Sequence, residues 1–402
     1  MKDLIYKLLF GSGYSLFTVC HIGNKRTVFM QLLLLITVSA SAQEHLQANL
    51  NMFRSGDEVL KQQIEYKTPG RSGEDVLWDI SRMKIVNKKY RLAYINASNN
   101  IVGTEHNTMY YYTLRNDSLL SNGYENNNTK VSYISPCLIM KYITKLGDMQ
   151  SGYFDGCGNY CGKTFFRSYG SYKLNADANG LLILPEGDTL KNVLRIHTMK
   201  LVSEQPINGI GSELAMRALL DSIGRYTNDS ISIHLSRDSN VIAINTYQWY
   251  AMGYRYPVFE STTTGRYKNG KQSEQYTTSY YYPPSEQKYL VDDLDNRKVR
   301  DSLARHDNGR GGTSPDVKFI YNVHQYGNDG NVNFEYYTDR PATISYGIYT
   351  TSGITLYQSG SQRQGGGTYQ GMIDINQYRR GVYLLTFIVN GKTYTEKIYK
   401  KE

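Results

Sequence analysis

The groups in this 402-residue chain that could do acid–base or metal chemistry are few and scattered. Asp292-Asp293 with Asp295 could supply the two carboxylates that glycoside hydrolysis needs, about 5 to 9.5 Å apart across a cleft. In so polar a stretch, a solvated charged face is the plainer reading. Trp78-Asp79 lies in SGEDVLWDISRM, where the ring reads as core and the carboxylate as a turn partner. His106, His197, His234 and His324 sit in or beside strand-like runs, with no Cys, Ser or Asp motif to make any of them a ligand or a base. The HExxH, Gly-x-Ser-x-Gly, phosphate-loop and dinucleotide patterns do not occur. The sequence therefore predicts no catalytic residue, no metal site and no cofactor. A polysaccharide-active hydrolase stays open as the alternative to a binding or structural protein.

Binding chemistry has more support. Of the 38 Tyr, eight gather in Tyr110-Tyr111-Tyr112, in Tyr280-Tyr281-Tyr282, and around Trp249 with Tyr247 and Tyr250. Every second ring on a strand points outward, and an exposed ring offers an apolar face and a polar tip, suited to a sugar or a protein contact. Trp249 and Tyr281 are the rings expected to stack on glycan; the competing reading packs them within the sheets. In DGCGNYCG, residues 155–162, glycines flank Cys157 and Cys161, which could close a disulfide loop or remain two thiols in a Gly-rich turn.

Strands must position these groups. Apolar-aromatic runs at 90–95, 109–114, 131–134, 138–143, 181–184 and 193–198 are separated by polar turn clusters, including NASNN (96–100) and NADANG (175–180). SELAMRALLDSIG, 212–224, reads as a helix capped by Ser212, and strands resume at 230–235, 241–250 and 276–282. ARHDNGRGGTSPD, 304–316, holds three Gly and a Pro with almost nothing apolar, and reads as a linker. Seven strand-like runs follow between 317 and 399. The last two flank Asn390-Gly391, a pair that favours a two-residue hairpin turn. The expected fold is all-β: a large antiparallel β-domain over 43–303 with one or two helices, then a small Ig-like β-sandwich over 317–402.

Residues 25–43, KRTVFMQLLLLITVSASAQ, combine two basic residues, a short apolar run and an Ala-Ser-Ala site, the layout of a secretory signal peptide cleaved between Ala42 and Gln43. The apolar run is shorter than the roughly 20 residues that span a bilayer. Losing residues 1–42 would leave 41 basic and 35 acidic residues, a net +6 against +9 for the whole chain. That charge is spread out and lacks basic-aromatic clusters, so nucleic acid is not an expected partner.

Val332 to Lys401, with ATISYGIYTTSGITLYQ and GVYLLTFIVNGKTYTEKIYKK, resembles the C-terminal sorting domain of type IX secretion cargo in Bacteroidetes. Gly381-Val382-Tyr383, Lys397, Lys400 and Lys401 match the family's Gly-Val-Tyr turn and Lys-rich tip. The stretches 170–198 and 245–260 resemble uncharacterised exported proteins of the same phylum, which bring no activity with them. The resemblance implies an exported protein, at the cell surface, outside the cell or otherwise in the periplasm. Its implied partners are the outer-membrane secretion machinery and, for a binding protein, a glycan or surface protein. Asp117-Ser118-Leu119, Asp188-Thr189-Leu190 and Asp229-Ser230-Ile231 resemble the O-glycosylation triplet of such proteins, which implies Ser118, Thr189 and Ser230 as modified residues.

Overall fold

The computed structural model describes residues 45–97, 100–212, 214–216, 218, 221, 224–309, 317–325 and 330–400. The expected leader, with its cleavage residues Ala42 and Gln43, lies outside them, as does Lys401.

A two-residue strand β1 (His45–Leu46) and a short helix α1 (Ala48–Asn51) precede β2 (Glu58–Ile64) and β3 (Gly73–Asp79). A meander follows: β4 (Ile85–Ala97), β5 (Asn100–Glu105), β6 (Thr108–Arg115), β7 (Ser118–Glu125) and β8 (Thr129–Lys141). Beyond β9 (Thr144–Lys145) come β10 (Met149–Tyr160), β11 (Thr164–Ile183), β12 (Thr189–Ile207) and helix α2 (Asn228–Arg237). Strands β13 (Ile242–Ala251), β14 (Phe259–Lys268) and β15 (Lys271–Tyr281) lead to helix α3 (Leu294–Gly309). The chain is predominantly β, as composition and alternation predict.

Among the described residues, thirteen strands form one sheet, in the order β10-β8-β7-β6-β5-β4-β2-β15-β14-β13-β12-β11-β3. Strand β10 also pairs with β11 from Met149↔Asn175 to Tyr160↔Thr164, so every strand but β3 closes into an antiparallel barrel. Tight turns set the register. His106-Asn107, Asn116-Asp117 and Asn269-Gly270 all have positive φ, between 48° and 75°, as two-residue hairpin turns demand. Closure leaves only β3 to guard the rim: it runs parallel to the far half of β11, from Ala178↔Gly73 to Ile183↔Asp79.

Two local expectations are corrected. NADANG lies inside β11, where register shifts at Ala176/Ala178 and Gly180/Leu182 absorb its turn-like composition. Gly180 is needed because a Cβ there would sit 1.8 Å from the Val76 carbonyl oxygen of the neighbouring strand. Residues 230–235 are helical, because the Thr227 side chain accepts from the Ser230 amide and Asp229 sits in the first turn. Ser212 does cap its helix, accepting from the Ala215 amide at 3.2 Å.

The C-terminal region holds β16 (Phe319–Gln325), β17 (Asn331–Thr338), β18 (Ala342–Thr350), β19 (Thr355–Gln358), β20 (Gln362–Gln364), β21 (Gly367–Asp374), β22 (Gly381–Val389) and β23 (Lys392–Lys400). One sheet is β16-β17-β21; the other is β19-β18-β22-β23 with β20 on β18. Phe334, Ile344, Ile348, Leu385, Phe387 and Ile398 fill the space between them. This is the small sandwich that the alternation predicts. On β16 the opposite parity faces the barrel: Ile320, with Tyr337 of β17, packs on Leu77, Leu181 and Ile183. Helix α3 extends through residues 304–309, the first part of the Gly-rich stretch; 310–316 lie outside the described residues.

Candidate functional site

Alternation divides the tyrosine runs between the two faces of the barrel wall. Tyr110 and Tyr112 of β6, Tyr250 of β13, Tyr280 near the end of β15 and Tyr282 just after it belong to the inner face. Charged groups from around the ring join them. Lys61 of β2 lies 2.5 Å from Glu105 and 4.1 Å from the Tyr280 ring centroid. Lys200 of β12 donates to the Tyr133 hydroxyl of β8 at 3.2 Å and lies 4.5 Å from the Phe154 ring centroid. Gln248 donates to Glu260 at 2.8 Å. Burial pushes the Tyr250 and Tyr282 hydroxyls well above the ordinary tyrosine range, so both remain protonated donors. Burial also raises the Glu204 carboxyl, with Lys200 pulling the other way. Tyr110, Tyr112, Tyr124 and Tyr280 stay half-buried. A barrel of this strand number is wider than the eight strands whose side chains just fill the interior.

Glycines make room for these rings. A Cβ at Gly152 would meet the Tyr172 hydroxyl at 2.4 Å, and one at Gly158 would meet the Phe166 ring at 2.5 Å. Of the glycines in DGCGNYCG, Gly158 makes room for the Phe166 ring and Gly156 for the Ser132 carbonyl of β8, while Gly162 sits in the turn at φ 64° with open space around it. Cys157 pairs in register with Arg167, and Cys161 sits in the turn at φ 52°. No disulfide joins them. Extended backbone spaces residues about 3.3 Å apart, which puts the two Cα atoms beyond the ~7 Å limit of a bridge.

One end of the interior is stoppered. Phe53 stacks on Tyr94 at 4.6 Å and meets Tyr112 edge-on at 5.2 Å. Tyr142 donates to the Asn51 carbonyl at 3.1 Å. Arg255 donates to Met52 and Asn49 carbonyls at 2.9 and 3.0 Å while holding Asp293 through two bonds of 2.7 and 2.8 Å. Asp293, read from sequence as part of a solvated face, is thus a buried anchor. Arg195–Asp177 and Arg167–Asp155 are further buried pairs on the outer face of the wall. No local pattern announces them, since the partners meet only across paired strands.

A second concave region lies where the sandwich meets the barrel. Cavities of 310 and 290 Å³ share Lys67, Asp79, His324 and Glu335. Trp78 and Trp249, edge to face at 5.8 Å, border the first. From the sandwich, His324 lies 3.1 Å from Glu335, and Asn322 donates to the Leu77 carbonyl at 3.3 Å. Asp79 accepts from the Ser81 amide at 2.7 Å and from Gln370 at 3.3 Å. Protein groups thus hold both carboxylates in place: Asp79 through Ser81 and Gln370, Glu335 through His324 and Asn322.

The residues expected to stack on glycan cannot do so from the surface: Trp249 is 0% exposed and Tyr281 is 1%. Both have outward parity, but Trp78, Phe259 and Val258 cover them on that side. Ser118 follows a hairpin turn, Thr189 opens β12, and Ser230 lies in the first turn of α2; all three are half-buried. Gly381, Val382 and Tyr383 open β22, with Val382 exposed and Tyr383 buried. Lys397 is exposed, whereas the Lys400 ammonium donates to the carbonyls of Ile375, Asn376 and Tyr378 at 2.8, 2.6 and 2.6 Å.

No protein-family model matches the sequence, and no curated protein matches it. Among solved structures, the chain has a similarity to PorZ, described as an essential bacterial surface component of the type-IX secretion system of Porphyromonas gingivalis. Identity is 10%, over 84% of this chain and 60% of that one, with a TM-score of 0.15. The chain therefore spans less than two thirds of PorZ, and at that TM-score neither fold nor role carries over.

Proposed function

We propose that this is an exported protein that works by binding, at the cell surface or outside the cell, with the barrel interior as its chamber and the sandwich as its delivery module. The observation that carries the binding part is the inner face, where half-buried tyrosines stand beside lysines and glutamates drawn from strands all round the ring. Rings with polar tips next to fixed charges suit an amphipathic or hydroxylated ligand. The delivery part rests on the leader-like residues 25–43 and on the resemblance of 332–401 to type IX sorting domains. O-glycosylation at Ser118, Thr189 or Ser230 belongs to the same reading.

Native mass spectrometry of protein recovered from its own cell envelope tests the chamber. The chain should carry a non-covalent ligand that denaturing conditions release and that Tyr110→Ala abolishes. Covalent glycan would survive denaturation and so be told apart. A wild-type chain that flies bare under native conditions would sink the chamber.

A further inference from the structure

We propose that the junction between barrel and sandwich is a second binding site, built jointly by the two, that takes a neutral saccharide unit. This site is separate from the barrel chamber and does not depend on it. The 310 Å³ cavity is large enough for a small ring ligand. On the barrel side, Trp78, Trp249 and Phe259 supply an apolar border. The Trp249 indole N–H is fully buried and meets no acceptor among the described residues. A buried donor without a protein partner is uncommon, and this one belongs to an indole that borders the cavity.

The sandwich side supplies the opposite chemistry. Strand parity turns Asn322 and His324 of β16 and Glu335 of β17 toward the barrel, while their neighbours Phe319, Tyr321 and Phe334 fill the sandwich core. Across the two adjoining cavities, Lys67, Arg71 and Arg82 are matched by Asp79, Glu335 and Glu396. Such a balance gives no preference for an anion or a cation. It offers fixed donors and acceptors around an aromatic border, the combination that reads a ring with apolar faces and hydroxyl edges. The sandwich then completes a site as well as serving any role in delivery.

The chain contains two tryptophans, Trp78 and Trp249, and both border this cavity. Tryptophan emission is therefore a local reporter that the tyrosines of the chamber do not share. The full chain should be titrated with glucose, galactose, mannose, xylose, N-acetylglucosamine and maltose, following emission excited at the red edge. At least one sugar should give a saturable change. Glu335→Gln should weaken it about tenfold, in line with losing a charge-assisted hydrogen bond. Lys67→Met, at an exposed position where folding is not at stake, should weaken it several-fold. Tyr110→Ala, in the chamber, should leave it unchanged. The proposal is overturned by emission that none of the six sugars alters, by a response that survives both junction variants, or by binding of galacturonate in preference to galactose.

Discussion

Asp293 is 1% exposed and accepts from Arg255 and Asn296. Burial alone would raise its pKa, but these donors outweigh it and hold the carboxyl below 3.8. A carboxylate depressed in the folded state stabilises the fold above its unfolded pKa, about 3.9, and that contribution fades as pH falls through the folded value. Asp293→Asn leaves Arg255 buried without its counter-charge, so it should cost about 3–5 kcal/mol near neutral pH. Urea unfolding of both proteins from pH 7 down to pH 2 checks this, and the gap should narrow below about pH 4. A gap that stays constant across the range would assign the loss to packing. None of this was legible in the DDLD stretch, because the partner lies 38 residues away and the pairing exists only once the barrel end is stoppered.

At the scale of elements, β11 shows what sequence can and cannot carry. Its twenty residues contain NADANG, whose composition signals a turn. Pairing on both sides overrides that local preference: β12 fixes the strand through its bulges, and β3 approaches so closely that only hydrogen fits at position 180. Gly180→Ala should therefore destabilise by about 1–3 kcal/mol through overpacking, although Ala is the better residue in an ordinary strand. Thermal unfolding of the single variant decides it, and an unchanged or higher melting temperature would show that β3 is free to move away. The hairpins were legible for the opposite reason. Asn-Gly and similar pairs act through two residues and need nothing distant, and Asn390-Gly391 takes φ of 48° and 86° as its type predicts. Most strands were legible too, 230–235 being the exception that a Thr227 cap turns into a helix. Which of two alternating rings faces the interior was not, because parity acquires meaning only after the ring of strands closes.

For the whole molecule, the question is whether the sandwich delivers the chain, stabilises it, or does both. Leu77 and Leu181 are 0% exposed and share a cluster with Ile183, Ile320 and Tyr337. Removing 317–402 would uncover the apolar side of β3 and leave that edge strand unguarded. A deletion therefore confounds lost address with lost cover, and a second variant must separate them. Ile320→Asp keeps the sandwich core, which is built from the other parity of β16, and damages only the contact with the barrel. In a host with an active type IX system, Ile320→Asp should still reach the surface or medium while melting several degrees below wild type. The 317–402 deletion should melt lower as well and remain in the periplasm. Fractionation with melting curves on each recovered pool reads both effects. Surface delivery of the deleted chain would exclude an address in the sandwich, and its sheets would then serve as cover for β3 and as one wall of the junction site.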